Sequence, residues 1–178
     1  VGDSAGYNNV SGINNVYIGE AAGSGASGQG QSENTGIGFN ALTSISGTSA
    51  AYNTTLGYRA GYAITTGSGN IILAPAANNT SRDQVTSGSY NIAIGFDVAV
   101  PSQTASNQLD IGNLIYGTGL DGAGYALSSG NIGIGTTTPW KKFSVAGSIS
   151  VTGAYYDSNA SAGTNGYVLQ STGSGTHW

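Results

Sequence analysis

The sequence predicts an all-β protein, a parallel β-roll or β-solenoid of about eight coils followed by a short C-terminal β connector. Three observations predict this class. A motif recurs along most of the chain, its apolar residues alternate as in a half-buried strand, and the copies are joined by segments rich in Gly, Ser, Thr and Asn. A catalytic site usually occurs once in a chain, whereas a recurring motif is typical of a structural element.

The motif is clearest in the stretch YNTTLGYRAGY, from Tyr52 to Tyr62. Each copy has an aliphatic residue, called the anchor below, that is followed by Gly in all copies except the one at Leu73, where Ala74 follows. Intervals between anchors run from 17 residues, for example from Leu56 to Leu73, to 23 residues between the last two. The first anchor is Val1, and the other seven are predicted to form the repeat core: Ile18, Ile37, Leu56, Leu73, Ile94, Ile111 and Ile134.

Spacing within each copy predicts which side chains share a face. Thr54 precedes the anchor Leu56 by two residues, and Ala60 follows it by four. In an extended strand such positions lie on one face. We therefore predict that the anchors point into the coil, that Ala60 and its equivalents fill a narrow core, and that Tyr58 and its equivalents point outward.

An Asn stands three residues before most anchors. Gln108 takes this place in the copy at Ile111. Two interpretations are open: each amide bonds to the next coil as part of a ladder, or each Asn caps its own turn. The residues concerned are Asn15, Asn34, Asn53, Asn70, Asn91 and Asn131.

The stretches NTTLGYRAG, NTGIGFNAL and NIAIGFDVA resemble the head repeats of trimeric autotransporter adhesins and the repeat regions of bacteriophage tail fibres. The resemblance covers about residues 1–139. It implies a left-handed parallel β-roll in which three chains pack side by side as a homotrimer. The repeats here are longer and less even than those of the adhesin heads.

The rhythm of the repeats ends after Pro139. We therefore divide the chain into a β-roll array, residues 1–139, and a β-strand connector or cap, residues 140–178. The connector contains alternating apolar residues around Gly147 and a turn-rich link before its last strand.

Composition argues against several classes of function. Only 7% of the residues are charged, against about 25% in a typical domain. Four basic residues and a net charge of −4 do not provide the cationic patch that nucleic acid requires. There is no Cys, the one His is His177, and the acids are scattered, so we expect no catalytic, metal-binding or cofactor-binding residue. No apolar run is long enough to insert into a membrane.

Three aromatic residues stand two positions after an anchor: Phe39, Tyr58 and Phe96. Their rings offer a surface for stacking on sugars or for packing against a neighbouring chain. Arg59, beside Tyr58, is either a glycan contact or a residue at the rim of such an interface.

These observations predict a non-enzymatic structural segment of an extracellular trimeric fibre or adhesin that mediates attachment to a surface or host cell. The expected partners are two further copies and a cell-surface glycan or host receptor. The expected location is a cell surface or a virion fibre. The alternatives are a glycan-binding module, a receptor-binding segment of a phage tail fibre or, from carboxylates brought together across coils, a β-solenoid enzyme that degrades glycans.

Overall fold

The computed structural model describes residues 1–27, 30–76, 85–157, 159–164, 170–171 and 175–177. Within these ranges all regular secondary structure is β-strand. The chain forms two compact units, Val1–Ala146 and Gly147–Trp178, which are described separately. The boundary predicted after Pro139 falls inside the first unit.

The first unit contains one sheet whose nine described strands follow the order of the sequence. In the second unit, β10 and β11 form an antiparallel pair. The strands are β1 Val16–Ile18, β2 Thr35–Ile37, β3 Thr54–Leu56, β4 Ile71–Leu73, β5 Ile92–Ile94, β6 Leu109–Ile111, β7 Ile115–Thr118, β8 Asn131–Ile134, β9 Phe143–Val145, β10 Gln170–Ser171 and β11 Thr176–His177.

Strands β1 to β6 pair in parallel, and equivalent residues of successive copies lie side by side. Ile18 is opposite Ile37, for example, and Ile37 is opposite Leu56. The result is a parallel β-solenoid of about five turns. The last copy does not add a coil, because β7 runs antiparallel to both β6 and β8. The predicted solenoid class is therefore confirmed, and the described strands account for about five turns of the eight that were predicted.

The middle residue of each solenoid strand faces the interior. Thr55, Ile72 and Ala93 are fully buried, whereas Leu56 is 50% exposed. The prediction that the anchors line the core of a coil is therefore wrong for the single chain, since they flank these buried residues and point outward. Ile18, Leu56 and Leu73 are exposed, and Ile37, Ile94, Ile111 and Ile134 are half-buried.

The glycine after the anchor explains why the predicted faces were reversed. Gly57 has a φ of 130°, so the backbone bends there and the strand ends at Leu56. Side chains of a strand alternate between its two faces with a period of two residues, and this alternation does not continue through the bend. Ala60 is thus buried as predicted, although Leu56 is not. Glycine is also required for close stacking: a Cβ at Gly38 would lie 2.1 Å from the carbonyl oxygen of Gly57.

The core of the solenoid is narrow and is filled largely from the loops. Leu42, Ile45, Ile64 and Val85 are fully buried and pack in one cluster with Ile72, which comes from a strand. Small residues occupy the equivalent inner positions of several other strands, because two opposed walls leave little space between them.

The first strand places a Tyr at the inner position. The Tyr17 ring lies so close to Gly23 that a Cβ there would be 2.2 Å from the ring. Burial raises the pKa of Tyr17 to about 12. Its hydroxyl donates to the side-chain oxygen of Asn15 at 3.3 Å. Tyr17 therefore extends the core to β1.

Candidate binding surfaces

The repeated Asn residues form a ladder through the solenoid. The backbone N–H of Asn53 donates to the side-chain oxygen of Asn34 at 3.0 Å, and that of Asn70 donates in the same way to Asn53. The side-chain amides repeat these bonds at 3.1 and 3.0 Å. The second N–H of each side-chain amide donates to a loop carbonyl. For Asn53 the acceptor is the carbonyl of Gly67. Each buried amide therefore joins its own coil to the preceding one.

The ladder continues beyond these central members. It begins at Asn15, which accepts from the N–H of Asn34 at 2.9 Å. It ends at Gln108, whose N–H donates to Asn91 at 2.9 Å and whose side chain also bonds to Ser102. Asn131 is not a member, since its side chain donates to the carbonyl of Pro139. Of the two interpretations, the ladder thus describes all the predicted Asn residues except Asn131.

The first and third residues of β1–β6 form a surface that we call the outer strip. All are aliphatic or Thr: Val16, Ile18, Thr35, Ile37, Thr54, Leu56, Ile71, Leu73, Ile92, Ile94, Leu109 and Ile111. Five strand-to-strand steps of about 4.8 Å give the strip a length of roughly 24 Å. The most exposed members include Leu56 at 50% and Val16 at 46%. The strip is therefore an uncharged, partly exposed apolar face.

The predicted aromatic residues lie close together only in part. The rings of Phe39 and Tyr58 stack with their centroids 5.4 Å apart and their planes 7° from parallel. Each ring therefore covers one face of the other. Phe96 is 71% exposed. The Arg59 guanidinium lies 4.0 Å from the centroid of the Tyr62 ring, which places it in a cation–π contact within its own coil.

A pocket lies where the parallel strands end. Its volume is about 420 Å³, and its lining includes Val100, Pro101, Asp110 and Tyr116. Asp110 is the inner residue of β6 and is fully buried. One carboxylate oxygen accepts from the N–H of Asn113 at 3.0 Å, and the other has no partner. Burial raises the pKa of Asp110 because it disfavours the charged form.

The loop between β7 and β8 is closed by a polar clasp. The Asp121 carboxylate accepts from both the backbone N–H and the hydroxyl of Ser129. These bonds lower the pKa of Asp121. Lys142 donates from its ammonium group to the carbonyl of Gly130 at 2.9 Å, at the base of the loop. Between the clasp residues, Tyr125 is fully exposed and Leu127 is 95% exposed.

The described part of the chain offers no grouping of three or more His, Asp or Glu side chains suited to holding a metal ion. Across the same residues we find no helix with the length and apolar character to span a bilayer.

Comparison with known proteins identifies no relative of the chain. No protein-family model matches the chain, and neither a curated protein nor a solved structure is significantly similar to it.

Proposed function

We propose that the chain is a structural segment of an extracellular homotrimeric fibre or adhesin and that this fibre mediates attachment to a surface or host cell. The observation that carries the proposal is the outer strip. Twelve aliphatic or Thr side chains cover one face of six strands without a charge among them. Contiguous apolar faces of this kind mark association surfaces.

Two further copies of the chain are the best partners for the outer strip. Three solenoids placed side by side, with their strips facing a common axis, would bury the exposed halves of residues such as Leu56. This arrangement is closed, so association would stop at three chains. It is also the arrangement implied by the resemblance to adhesin heads and tail fibres. On this proposal the anchors do form a core, but one that is shared between chains.

The amide ladder supports a structural role. It fixes the height of one coil on the next through buried bonds at residues such as Asn53 and Asn70. A chain held in this way resists local opening, since opening one coil exposes several buried polar groups at once. Such rigidity suits a segment that spaces or supports an attachment surface outside the cell or virion.

The test is the mass of the full chain in solution, measured by light scattering with circular dichroism on the same sample. We expect three times 17.6 kDa and a β-type spectrum. Leu56→Asp places three charges at the proposed axis, and we expect it to give folded monomers, because Leu56 is half exposed in the single chain.

Leu127→Asp is the matched control for this variant. It introduces the same change at a side chain that is 95% exposed and lies outside the outer strip, so the trimer should persist. A wild-type chain that is a folded monomer at all concentrations would exclude the trimer.

A glycan-binding module or phage receptor-binding segment is the second candidate, and exposed aromatic side chains favour it. Phe96 is 71% exposed, and Tyr52 and Tyr90 are 64% and 62% exposed. Binding of cells by the wild-type trimer, lost in Arg59→Ala with folding retained, would favour the region around Tyr58 as the receptor site. Of the two candidates, the fibre segment accounts for more of the surface.

A further inference from the structure

One turn of the solenoid holds bulky side chains in a backbone conformation that they rarely adopt. The residue just before each ladder amide has a positive φ, between 58° and 65°. Successive members belong to successive coils, and we call them the turn column: Asn14, Glu33, Tyr52, Gly69, Tyr90 and Asn107. Gly and Asn accept this conformation readily, whereas Glu and Tyr are strained in it. The strained residues therefore occupy the middle of the column, where Gly69 separates the two tyrosines.

Packing within the chain does not explain the two tyrosines. The side chains of Tyr52 and Tyr90 remain 64% and 62% exposed. A positive φ also occurs at other turns of the solenoid, for example at Leu42 and Arg59, so the strain by itself belongs to the fold. Tyr52 and Tyr90 combine it with large aromatic rings that gain little burial, and this combination points to a role outside the fold.

The geometry of the column leaves the aromatic rings available. Tyr52 and Tyr90 are two coils apart, which is about 10 Å along the solenoid. Gly69 lies between them and presents no side chain, and an edge of the Tyr90 ring lies beside it: a Cβ at Gly69 would be 2.6 Å from Cδ1 of Tyr90. Next along the column is Glu33, whose carboxylate is the main cause that raises the pKa of Tyr52.

The chemistry of these groups suits a sugar chain. Aromatic faces provide apolar contact to pyranose rings, and a carboxylate accepts hydrogen bonds from sugar hydroxyls. In an extended oligosaccharide, the rings advance by roughly the spacing of one coil, so sugars one and three would lie over Tyr52 and Tyr90. The Glu33 charge and the net charge of −4 disfavour sulphated or acidic sugars.

We propose that Tyr52 and Tyr90, with Glu33, form a platform that binds an uncharged oligosaccharide lying along the solenoid axis. The inference rests on the attachment role proposed above and gives it a ligand class. It does not require the trimer, because every group comes from one chain. The pair Phe39 and Tyr58 is less suited to this role, since its rings already cover one another.

Calorimetric titration of the full chain with soluble hexasaccharides tests the platform. The probes are cellohexaose, chitohexaose and a sulphated heparin hexasaccharide. We expect at least one neutral probe to bind and the sulphated probe not to bind. Absence of binding to both neutral probes overturns the proposal, as does binding of the sulphated probe alone.

The informative variant is Tyr52→Asn with Tyr90→Asn. Asn occupies the same column at Asn14 and Asn107, so this variant should fold, with a melting temperature equal to or above that of the wild type. Loss of two stacking rings should weaken binding by about tenfold or more. Unchanged binding overturns the platform, and a large fall in melting temperature would assign the tyrosines to folding instead.

Tyr125→Asn is the matched control, because Tyr125 is fully exposed and lies outside the column. It should bind as the wild type does. Light scattering on the same samples separates this proposal from the fibre proposal. A trimer that binds neither neutral probe overturns only the platform, and a monomer that binds one of them overturns only the trimer.

Discussion

Strands β1–β6 and strands β7–β9 belong to one sheet, yet they are stabilised differently. Every fully buried hydrophobic side chain among the described residues lies between Ala22 and Val100. The inner positions of the later strands hold Tyr116, Gly133 and Ser144, and their outer side chains include Phe143 at 60% exposure. The parallel coils therefore have a closed hydrophobic interior, whereas the later strands bury only small inner residues such as Gly133 and Ser144.

The amide ladder follows the same division. It joins the coils up to Gln108, and Asn131, in the later strands, makes a single side-chain bond. Parallel stacking brings equivalent residues into register, so one amide can bond to the next. The antiparallel turn between β6 and β7 removes that register. Repetition therefore stabilises this fold only where the chain keeps its direction.

Removing an amide from each region would test this comparison most severely. Asn53→Ala leaves the N–H of Asn70 and the carbonyl of Gly67 buried without partners, and we expect a loss of about 4 kcal/mol of unfolding free energy. Asn131→Ala removes one partly buried bond, and we expect a loss of about 1 kcal/mol. Urea unfolding at one protein concentration measures both. Equal losses of unfolding free energy would show that an amide in the ladder stabilises the fold no more than one outside it.

Asp110 lies at the junction of the two regions, and we expect its removal to alter the pH dependence. Its pKa is raised in the folded state. At a pH between the unfolded and the folded pKa, the Asp110 carboxyl therefore takes up a proton when the chain folds. The contribution of Asp110 to stability is fully present below the unfolded pKa of about 4 and is lost as the pH rises through the folded pKa. In the wild type the urea midpoint should therefore fall between acid and neutral pH. Asp110→Asn should make this fall smaller. An unchanged pH profile would contradict a buried carboxyl with one oxygen left without a hydrogen bond.

Gln108 allows the end of the ladder to be tested separately. Its longer side chain reaches both the Asn91 oxygen and the backbone of Ser102. Gln108→Asn keeps the first contact and loses the second, so we expect a loss of about 1 kcal/mol by urea unfolding. Gln103→Asn, a change of the same size outside the ladder, should have a smaller effect. A larger loss of stability for Gln103→Asn than for Gln108→Asn would show that the side-chain bonds of Gln108 do not stabilise the end of the ladder.

The clasp at Asp121 should give the smallest effect, because it is exposed. Hydrogen bonds from Ser129 lower the pKa of Asp121, so its contribution is present above the unfolded pKa and is lost as the pH falls through the folded value. Asp121→Asn should increase amide hydrogen exchange in the loop around Tyr125 and leave the urea midpoint nearly unchanged. A fall in the midpoint as large as that of Gln108→Asn would mean that this loop supports the sheet.

The sequence predicted the class of the fold because the repeat is visible without any knowledge of contacts. The Asn spacing identified Asn53 and its equivalents, since buried amides need partners and repeated amides supply them to one another. The inner face was not predictable in the same way. Alternation separates Leu56 from Thr55 but does not say which lies inside, and size does not decide it either, since the larger Tyr17 is the inner residue of β1.

Two further features depended on the three-dimensional path. The copy at Ile134 has the motif of a coil, but the reversal of β7 places it in an antiparallel pair. The turn column was missed because Tyr52 and Tyr90 are unremarkable as residue types, and their positive φ values are visible only in the structure. Their shared position, four residues before an anchor, was the one signal present in the sequence.

The stacking of the coils also determines how the solenoid would respond to mechanical load. A pull on one end of the chain acts on the terminal coil first, because bonds such as that between Asn53 and Asn70 join only successive coils. Each coil contains 17 to 21 residues from one anchor to the next, as from Leu56 to Leu73 and from Leu73 to Ile94. Detachment of one coil should lengthen the chain by roughly 60 Å. The solenoid would therefore yield under load in steps of one coil.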